Sequence, residues 1–183
     1  MFELSLHILD LVQNSVSAGA ALVTVVVSFL RDVLTIVIED DGRGMDEALL
    51  SRVTSPFATT RTTRKVGLGI PMFKQLAEMC NGSFRIDSKP GEGTRLEATF
   101  QASHMDLPPV GDLPGTFASL INGAPSFPEF VLRYERDDKS FLFDTREIRQ
   151  ALGGLPLDGM EILAWIHECI AEGISEVDGM SPQ

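Results

Sequence analysis

The chain has 183 residues, of which 44% are apolar, and its 15 basic and 26 acidic residues give a formal net charge of −11. This length predicts one domain, or one domain with a small appendage, and it suffices to bury a core without disulfide or metal crosslinks. The acidity argues against binding of nucleic acid, because neutralising phosphates needs a basic surface, and two separated cysteines, Cys80 and Cys169, argue against a disulfide framework or a zinc site.

The N-terminal sequence and the apolar stretches predict neither export nor membrane insertion. The longest apolar stretch, residues 20–30, is shorter than the roughly 20 residues that span a bilayer. The first ten residues lack the basic start that is typical of a signal peptide. We therefore expect a cytoplasmic protein with no membrane partner.

Helical and strand patterns alternate through residues 1–104. An apolar stripe predicts a helix over 4–18, which ends at Gly19, and β-branched runs predict a hairpin of strands over 22–30 and 33–39. The patterns that follow predict a short helix that Asp46 caps and that ends near Val53, a Thr-rich loop over 58–66, a helix over 70–80, and strands over 83–88 and 94–100. This order predicts an α/β, or α+β, two-layer sandwich whose mixed sheet carries its helices on one face.

The charge balance changes after residue 104. Residues 1–104 hold 10 basic and 12 acidic residues, a net charge of −2, whereas residues 105–183 hold 5 basic and 14 acidic residues, a net charge of −9. The segment 105–115 is rich in proline and glycine and predicts a linker. We predict a second, small acidic α+β domain over 116–183 that binds a partner, with strands at 130–136 and 140–143 and helices over about 144–152 and 158–172.

The first predicted helix places His7, Asp10 and Asn14 on one face, apart from the apolar stripe. A carboxylate and a carboxamide four residues apart can serve Mg²⁺ and a water molecule. A solvated helix face is the simpler alternative, because Asp and Asn are mostly exposed in proteins.

Two glycine-containing turns follow strands or join them. Asp40 precedes Gly42 and Gly44 at the end of a β-branched run, so a planar ligand could approach the backbone while Asp40 accepts from an exocyclic amine. An ordinary Asp-Gly turn is the alternative. A second segment, Gly91-Glu92-Gly93-Thr94, is by itself a hairpin turn.

The segment Gly67-Leu68-Gly69 opens a predicted helix, where exposed N–H groups can bind phosphate. Residues 48–77 contain no acidic residue and five basic ones, namely Arg52, Arg61, Arg64, Lys65 and Lys74. In so acidic a chain, this cluster favours a local anionic ligand, although a solvated loop with chance basic residues explains it as well.

Taken in order, five of these segments resemble the N, G1, F, G2 and G3 boxes of the GHKL ATPase superfamily, which includes gyrase, the large heat-shock chaperone, histidine kinases and MutL. The segments are Asp10-x-x-x-Asn14, Asp40-x-Gly42-x-Gly44, Ser55-Pro56-Phe57, Gly67-x-Gly69 and Gly91-x-Gly93-Thr94. The resemblance covers about residues 1–102. Its first box is similar to the MutL version, and its F box and last turn are similar to the histidine kinase version.

The resemblance implies the Bergerat ATP-binding fold with ATP and Mg²⁺ as ligands. Asn14 would hold Mg²⁺, and Asp40 would accept from the adenine amino group, beside a turn of Gly42 and Gly44. Thr94 would bind adenine through water. A lid over 59–66 would contribute Thr59, Thr60, Arg61 and Lys65, with Arg61 near the terminal phosphate, and the Gly67-Leu68-Gly69 backbone would reach the triphosphate. Asp10 is a candidate general base, where hydrolysing relatives usually carry Glu.

The resemblance implies a histidine kinase-like ATPase or protein kinase. The first box begins near residue 4, which leaves no room for the helical hairpin that carries a phosphoacceptor histidine, so action on a partner protein in trans is expected. An ATP-gated interaction switch that hydrolyses slowly or not at all is the alternative. A MutL-like repair ATPase is a weaker one, because the chain is acidic.

Overall fold

The computed structural model describes residues 3–54, 68–124 and 126–179. The helices of these residues are α1 (Leu4–Ser17), α2 (Glu47–Val53), α3 (Gly69–Met79), α4 (Leu113–Gly123), α5 (Thr145–Ala151) and α6 (Met160–Asp178). The strands are β1 (Leu22–Leu30), β2 (Val33–Asp40), β3 (Phe84–Lys89), β4 (Gly93–Gln101), β5 (Glu129–Arg136) and β6 (Lys139–Asp144).

The strands form one mixed sheet in the order β3-β4-β2-β1-β5-β6. Strands β1 and β5 run parallel, and the other neighbours are antiparallel. The register aligns Val23 of β1 with Asp40 of β2, and Asp40 with Thr94 of β4. Mixed pairing and helical packing together confirm the predicted α/β class.

One face of the sheet carries the core. Residues with the same parity along the aligned strands, such as Val25, Ile38 and Leu96, are buried on this face, because side chains alternate between faces of a strand. Helices α1, α3 and α6 contact the strands, and α4 packs on α1 and α6. The opposite face of β2 and β4 carries ion-paired Glu39 and Arg95, whose Oε2 and Nη1 atoms are 2.7 Å apart.

Caps set the predicted helix boundaries. The Asp46 side chain accepts from the Leu49 amide at 2.7 Å, which begins α2 at the predicted place. Asp144 accepts from the Arg146 amide at 2.9 Å and begins α5. The last helix, α6, is longer than predicted and ends at Gly179, which has a left-handed backbone conformation with φ +72°.

The sequence prediction misses α4, the helix that follows the proline- and glycine-rich segment. Asp112 caps it, since its side chain accepts from the Gly115 amide at 2.8 Å, and Pro114 occupies the first turn. Proline is tolerated there because the N–H groups of a first turn have no partner within the helix. The Pro114-Gly115 pair, which predicted a linker, instead lies in the first turn of a helix.

The predicted division at 105–115 does not coincide with a break in the sheet or in the core. The amide of Leu4 donates to the Pro109 carbonyl at 2.9 Å, and that of Ser5 donates to the Val110 carbonyl at 2.8 Å, so this segment is bonded to the start of α1. Strand β5 pairs with β1 along its full length, and one apolar cluster contains residues from both sides of the segment. Strands β5 and β6 extend the sheet that β1 to β4 form.

Among the residues that the structure describes, no helix combines the length and the apolar content that crossing a membrane requires.

Candidate functional site

A cavity of about 280 Å³ opens where α1, β2 and β4 meet α2 and the start of α3. Its polar lining includes Asn14, Ser15, Asp40, Arg43 and Thr94. Its walls are apolar side chains of α1, α2, α3 and the strands β2, β3 and β4. A mostly apolar pocket with a few convergent polar groups is typical of a small-molecule site.

Asp40 is a buried acidic residue that lines this cavity. It ends β2 with its side chain on the core face, and only 9% of its surface is exposed. Its Oδ2 accepts from the Ser15 hydroxyl at 2.6 Å, and its Oδ1 accepts from the Gly42 amide at 2.9 Å. Neither donor is charged, and each oxygen retains a lone pair that a ligand donor could use.

The loop after Asp40 is held on both sides by backbone hydrogen bonds. The Arg43 amide donates to the Ala18 carbonyl at 3.1 Å, and the Arg43 carbonyl accepts from the Gly91 amide at 2.8 Å. Gly44 has φ +64°, and a Cβ there would overlap the Lys89 carbonyl oxygen. The loop therefore needs glycine at 44, because L side chains neither adopt this conformation readily nor fit the space.

The β3–β4 turn closes the cavity on the side of Thr94. Gly93 has φ +90°, and a Cβ there would overlap the Asp40 carbonyl oxygen. The Ser88 hydroxyl lies 2.9 Å from the Thr94 hydroxyl, and it also accepts from the Met45 amide at 2.9 Å. Asp40, its loop and this turn thus form one rigid wall.

The remaining predicted residues of the first helix divide between the surface and the core. Asn14 is exposed and lines the cavity, while Asp10 is exposed beside the first residue of α3: a Cβ on Gly69 would lie 3.6 Å from the Asp10 Cβ. The N-cap residue of α3, Leu68, is exposed and makes no side-chain cap, so no side chain at that position takes the first-turn N–H groups of α3.

Helical spacing predicted His7 on one face with Asp10 and Asn14, but His7 is buried whereas the other two residues are exposed. It is 4% exposed, and its ring centroid lies 5.6 Å from that of Phe73. Helix α3 packs on α1 and covers it. Within the part of the chain that the structure describes, His7 Nδ1 has no hydrogen-bond partner, and burial lowers the pKa of His7.

The structure brings several predicted site residues together and leaves others untested. Asn14, Asp40, Gly44 and Thr94 line one cavity, and Gly42 bonds to Asp40 beside it. The predicted residues that lie outside the described part of the chain are Ser55, Pro56, Phe57, Thr59, Thr60, Arg61, Lys65 and Gly67. The roles of all these residues stay predictions.

Sequence reasoning missed Ser15 as a partner of Asp40. The signal was present, because residue 15 continues the apolar stripe of Leu11 and Val12 by helical spacing. A hydroxyl on a buried stripe needs a hydrogen-bond partner. The position of that partner, 25 residues along the chain, was not visible in the spacing.

Comparison with known proteins identifies similar domains. A family model described as histidine kinase-, DNA gyrase B- and HSP90-like ATPase matches residues 3–104. Sporulation kinase A of Bacillus subtilis is 27% identical over 94 residues, which are 50% of this chain and 15% of that protein. The non-motile and phage-resistance protein of Caulobacter vibrioides is 31% identical over 110 residues, 54% of this chain and 13% of that protein.

A solved structure shares the fold. The N-terminal domain of a DNA repair protein superimposes with a TM-score of 0.51 at 14% identity, over 78% of this chain and 52% of that one. This likeness concerns the fold alone. The chain spans only about one seventh of the length of the two curated relatives.

Proposed function

Because the chain belongs to the family of histidine kinase-, DNA gyrase B- and HSP90-like ATPases, we propose that it binds Mg·ATP in the cavity around Asp40 and acts on a partner protein in trans. The relatives include a protein named as a kinase. Phosphoryl transfer needs mainly positioning and charge stabilisation, so a domain of this kind is chemically sufficient for it.

The observation that carries this proposal is the buried Asp40 carboxylate with two uncharged donors. It faces a cavity of apolar and polar side chains that is large enough for a planar base, and it can accept but not donate while ionised. An exocyclic amine satisfies it, whereas a carbonyl in that place would leave two acceptors facing each other. With the 6-position of the purine at Asp40, adenine therefore fits this wall, whereas guanine carries a carbonyl at that position.

The residues present also fit the phosphates. Leu68, the N-cap residue of α3, makes no side-chain cap, so the amides of Gly69 and Ile70 would bind an anion there. The described residues include no cluster of three or more acidic, His or Cys side chains that could hold a metal, so Mg²⁺ would be shared between Asn14 and the nucleotide. When bound, Mg²⁺ would neutralise phosphate charge.

Titration calorimetry with ATP, in Mg²⁺ and in a chelator, tests the binding proposal. Wild-type protein is expected to bind ATP more tightly in Mg²⁺, and Asn14→Ala is expected to lose at least ten-fold of that tightening, since one metal ligand disappears. Gln13→Ala is the matched control, because Gln13 is exposed on the same helix and does not line the cavity. Equal tightening in Asn14→Ala and wild type would contradict the role of Asn14.

Asp10 decides whether ATP is hydrolysed. A carboxylate that is one methylene shorter than the usual Glu reaches an attacking water less easily, so we expect slow turnover in the isolated protein. Asp10→Glu is expected to raise steady-state ATP hydrolysis, and Asp10→Asn to lower it about ten-fold or more, with Mg·ATP affinity kept within several-fold. Undiminished hydrolysis by Asp10→Asn would show that Asp10 is not a general base.

The second candidate function is an ATP-gated interaction switch that hydrolyses slowly or not at all. The exposed, short Asp10 favours it. Labelled ATP distinguishes the two candidates: a kinase transfers the terminal phosphate to another protein, whereas a switch changes partner binding without labelling it. Both candidates need the same Asp40 cavity, so binding must be established first.

A further inference from the structure

Ser15 makes a short hydrogen bond inside the cavity. Its hydroxyl donates to Asp40 Oδ2 at 2.6 Å, and both residues are buried, Ser15 to 4% and Asp40 to 9% exposure. A separation this short is typical of a hydroxyl bonded to a charged carboxylate. The bond joins α1 to the end of β2 across 25 residues of chain.

Two donors fix the plane of the Asp40 carboxylate. The Gly42 amide holds Oδ1 from the loop that follows the strand, while Ser15 holds Oδ2 from the helix. A carboxylate held at one oxygen only could rotate about its χ2 bond, because that torsion has a broad energy minimum. With both oxygens held, the remaining lone pairs have fixed directions.

Ser15 follows Asn14 directly, and both residues line the cavity. One turn of α1 therefore carries the proposed Mg²⁺ ligand and the donor that orients the base acceptor. Side chains of neighbouring helical residues point about 100° apart, so each can serve a different part of one ligand. A small movement of α1 against β2 would disturb both parts together.

We infer that Ser15 is a positioning residue for base recognition: its hydroxyl orients Asp40 so that the free lone pairs meet the amino group of an adenine base. This inference rests on the proposed function. It adds a specificity determinant, because an oriented acceptor distinguishes a purine that has the amino group from one that lacks it.

The test compares two nucleotides in titration calorimetry: ATP, and purine riboside triphosphate, which lacks the amino group. Wild-type protein should prefer ATP about ten-fold or more, the effect of a hydrogen bond to a charged acceptor. In Ser15→Ala, ATP affinity should fall about ten-fold while that for purine riboside triphosphate stays within about two-fold. The preference for ATP should then nearly vanish.

Two controls separate positioning from a general loss of structure. Ser5→Ala removes another buried hydroxyl of α1, which donates to Glu3 Oε2 at 3.3 Å away from the cavity, and it should leave the nucleotide preference unchanged. Ser15→Thr keeps the donor and should retain most of the preference. If Ser15→Ala unfolds, Ser15→Cys, a similar size with a weaker donor, should show a reduced preference.

The outcomes are distinct. If ATP binds and Ser15→Ala weakens both nucleotides equally, or changes neither, the inference is overturned and the proposed function stands. If wild-type protein binds ATP no better than purine riboside triphosphate, Asp40 does not read the amino group and the inference also fails. Failure of wild-type protein to bind either nucleotide overturns the proposed function and the inference with it.

Discussion

Partly or fully buried carboxylates have different partners in the two halves of the sheet, the half with β5 and β6 and the half that carries the cavity. Towards the C-terminus, each such carboxylate has an arginine: Glu129 Oε1 lies 2.9 Å from Arg149 Nε, and Asp178 Oδ1 lies 2.6 Å from Arg136 Nε. On the cavity side, the hydrogen-bond donors to Asp40 among the described residues are the Ser15 hydroxyl and the Gly42 amide.

The difference separates carboxylates that hold a helix against the sheet from one that can bind a ligand. The Glu129–Arg149 pair holds α5 against β5, and the Asp178–Arg136 pair holds the end of α6 against the same strand. A carboxylate that already has a cation has little to offer a ligand. Asp40, which has uncharged donors and faces a cavity, keeps free lone pairs for a bound molecule.

The largest effect is expected from a substitution in the cavity wall, at Gly93. Gly93→Ala places a Cβ against the Asp40 carbonyl oxygen at φ +90°, and we expect it to lower the free energy of unfolding by about 3 kcal/mol and to abolish ATP binding. Gly91→Ala, at φ +77° in open space, should cost only about 1 kcal/mol. Chemical denaturation and calorimetry measure both. Similar costs for the two substitutions would contradict the described packing.

The next effect tests the comparison directly with paired substitutions. Asp40→Asn should weaken ATP binding roughly 30-fold, because the charged acceptor is lost, and should change stability little. Asp144→Asn, whose carboxylate lies 2.6 Å from Arg146 Nη2, should leave ATP binding unchanged. Weaker ATP binding by Asp144→Asn would contradict the distinction between ion-paired carboxylates and the cavity carboxylate Asp40.

Asp144→Asn should also alter the acid response. The hydrogen bond from Arg146 holds the pKa of Asp144 below its usual value. Its stabilising effect is therefore complete above the unfolded-state pKa of about 3.9, and is lost as the pH falls through the lower folded-state value. Acid unfolding curves of the variant should be flatter in that range.

The smallest effect concerns His7, whose Nδ1 meets no hydrogen-bond partner among residues 3–54, 68–124 and 126–179. Because burial lowers the pKa of His7, the unfolded state takes up the proton first, and stability should fall as the pH drops below about 6.5. His7→Leu should remove this slope and change stability at pH 7 by under about 1 kcal/mol. Thermal unfolding at pH 7.5 and 5.5 measures it. An unchanged slope would place the titrating group elsewhere.

Local patterns predicted most of the fold. Periodicity and capping chemistry, which act over a few residues, predict the three hairpins, α1, α3 and the Asp46 cap. Helix α4 was missed because Pro114 and Gly115 indicated a linker. The parallel pairing of β1 with β5 was missed because it joins residues about 100 positions apart, and no local pattern records such a pairing.

The sequence predicted which residues line the candidate site better than it predicted their burial and hydrogen-bond partners. The order of the glycine segments placed Asn14, Asp40 and Thr94 together, and the structure gathers them at one cavity. The burial of His7 and the partner of Asp40 depend on how helices pack on each other and on the sheet. Such packing is a tertiary property, so sequence spacing alone could not supply it.

The parallel pairing of β1 and β5 also bears on how the chain folds during synthesis. Strand β1, with the sequence LVTVVVSFL, is an inner strand only because residues 129–136 cover its second edge. Until β5 emerges from the ribosome, that edge offers a β-branched, uncharged run to any neighbouring chain, which favours aggregation. A fragment that stops at residue 104 would leave this edge of β1 uncovered. The acidic C-terminal part therefore protects the first hundred residues from edge-to-edge aggregation.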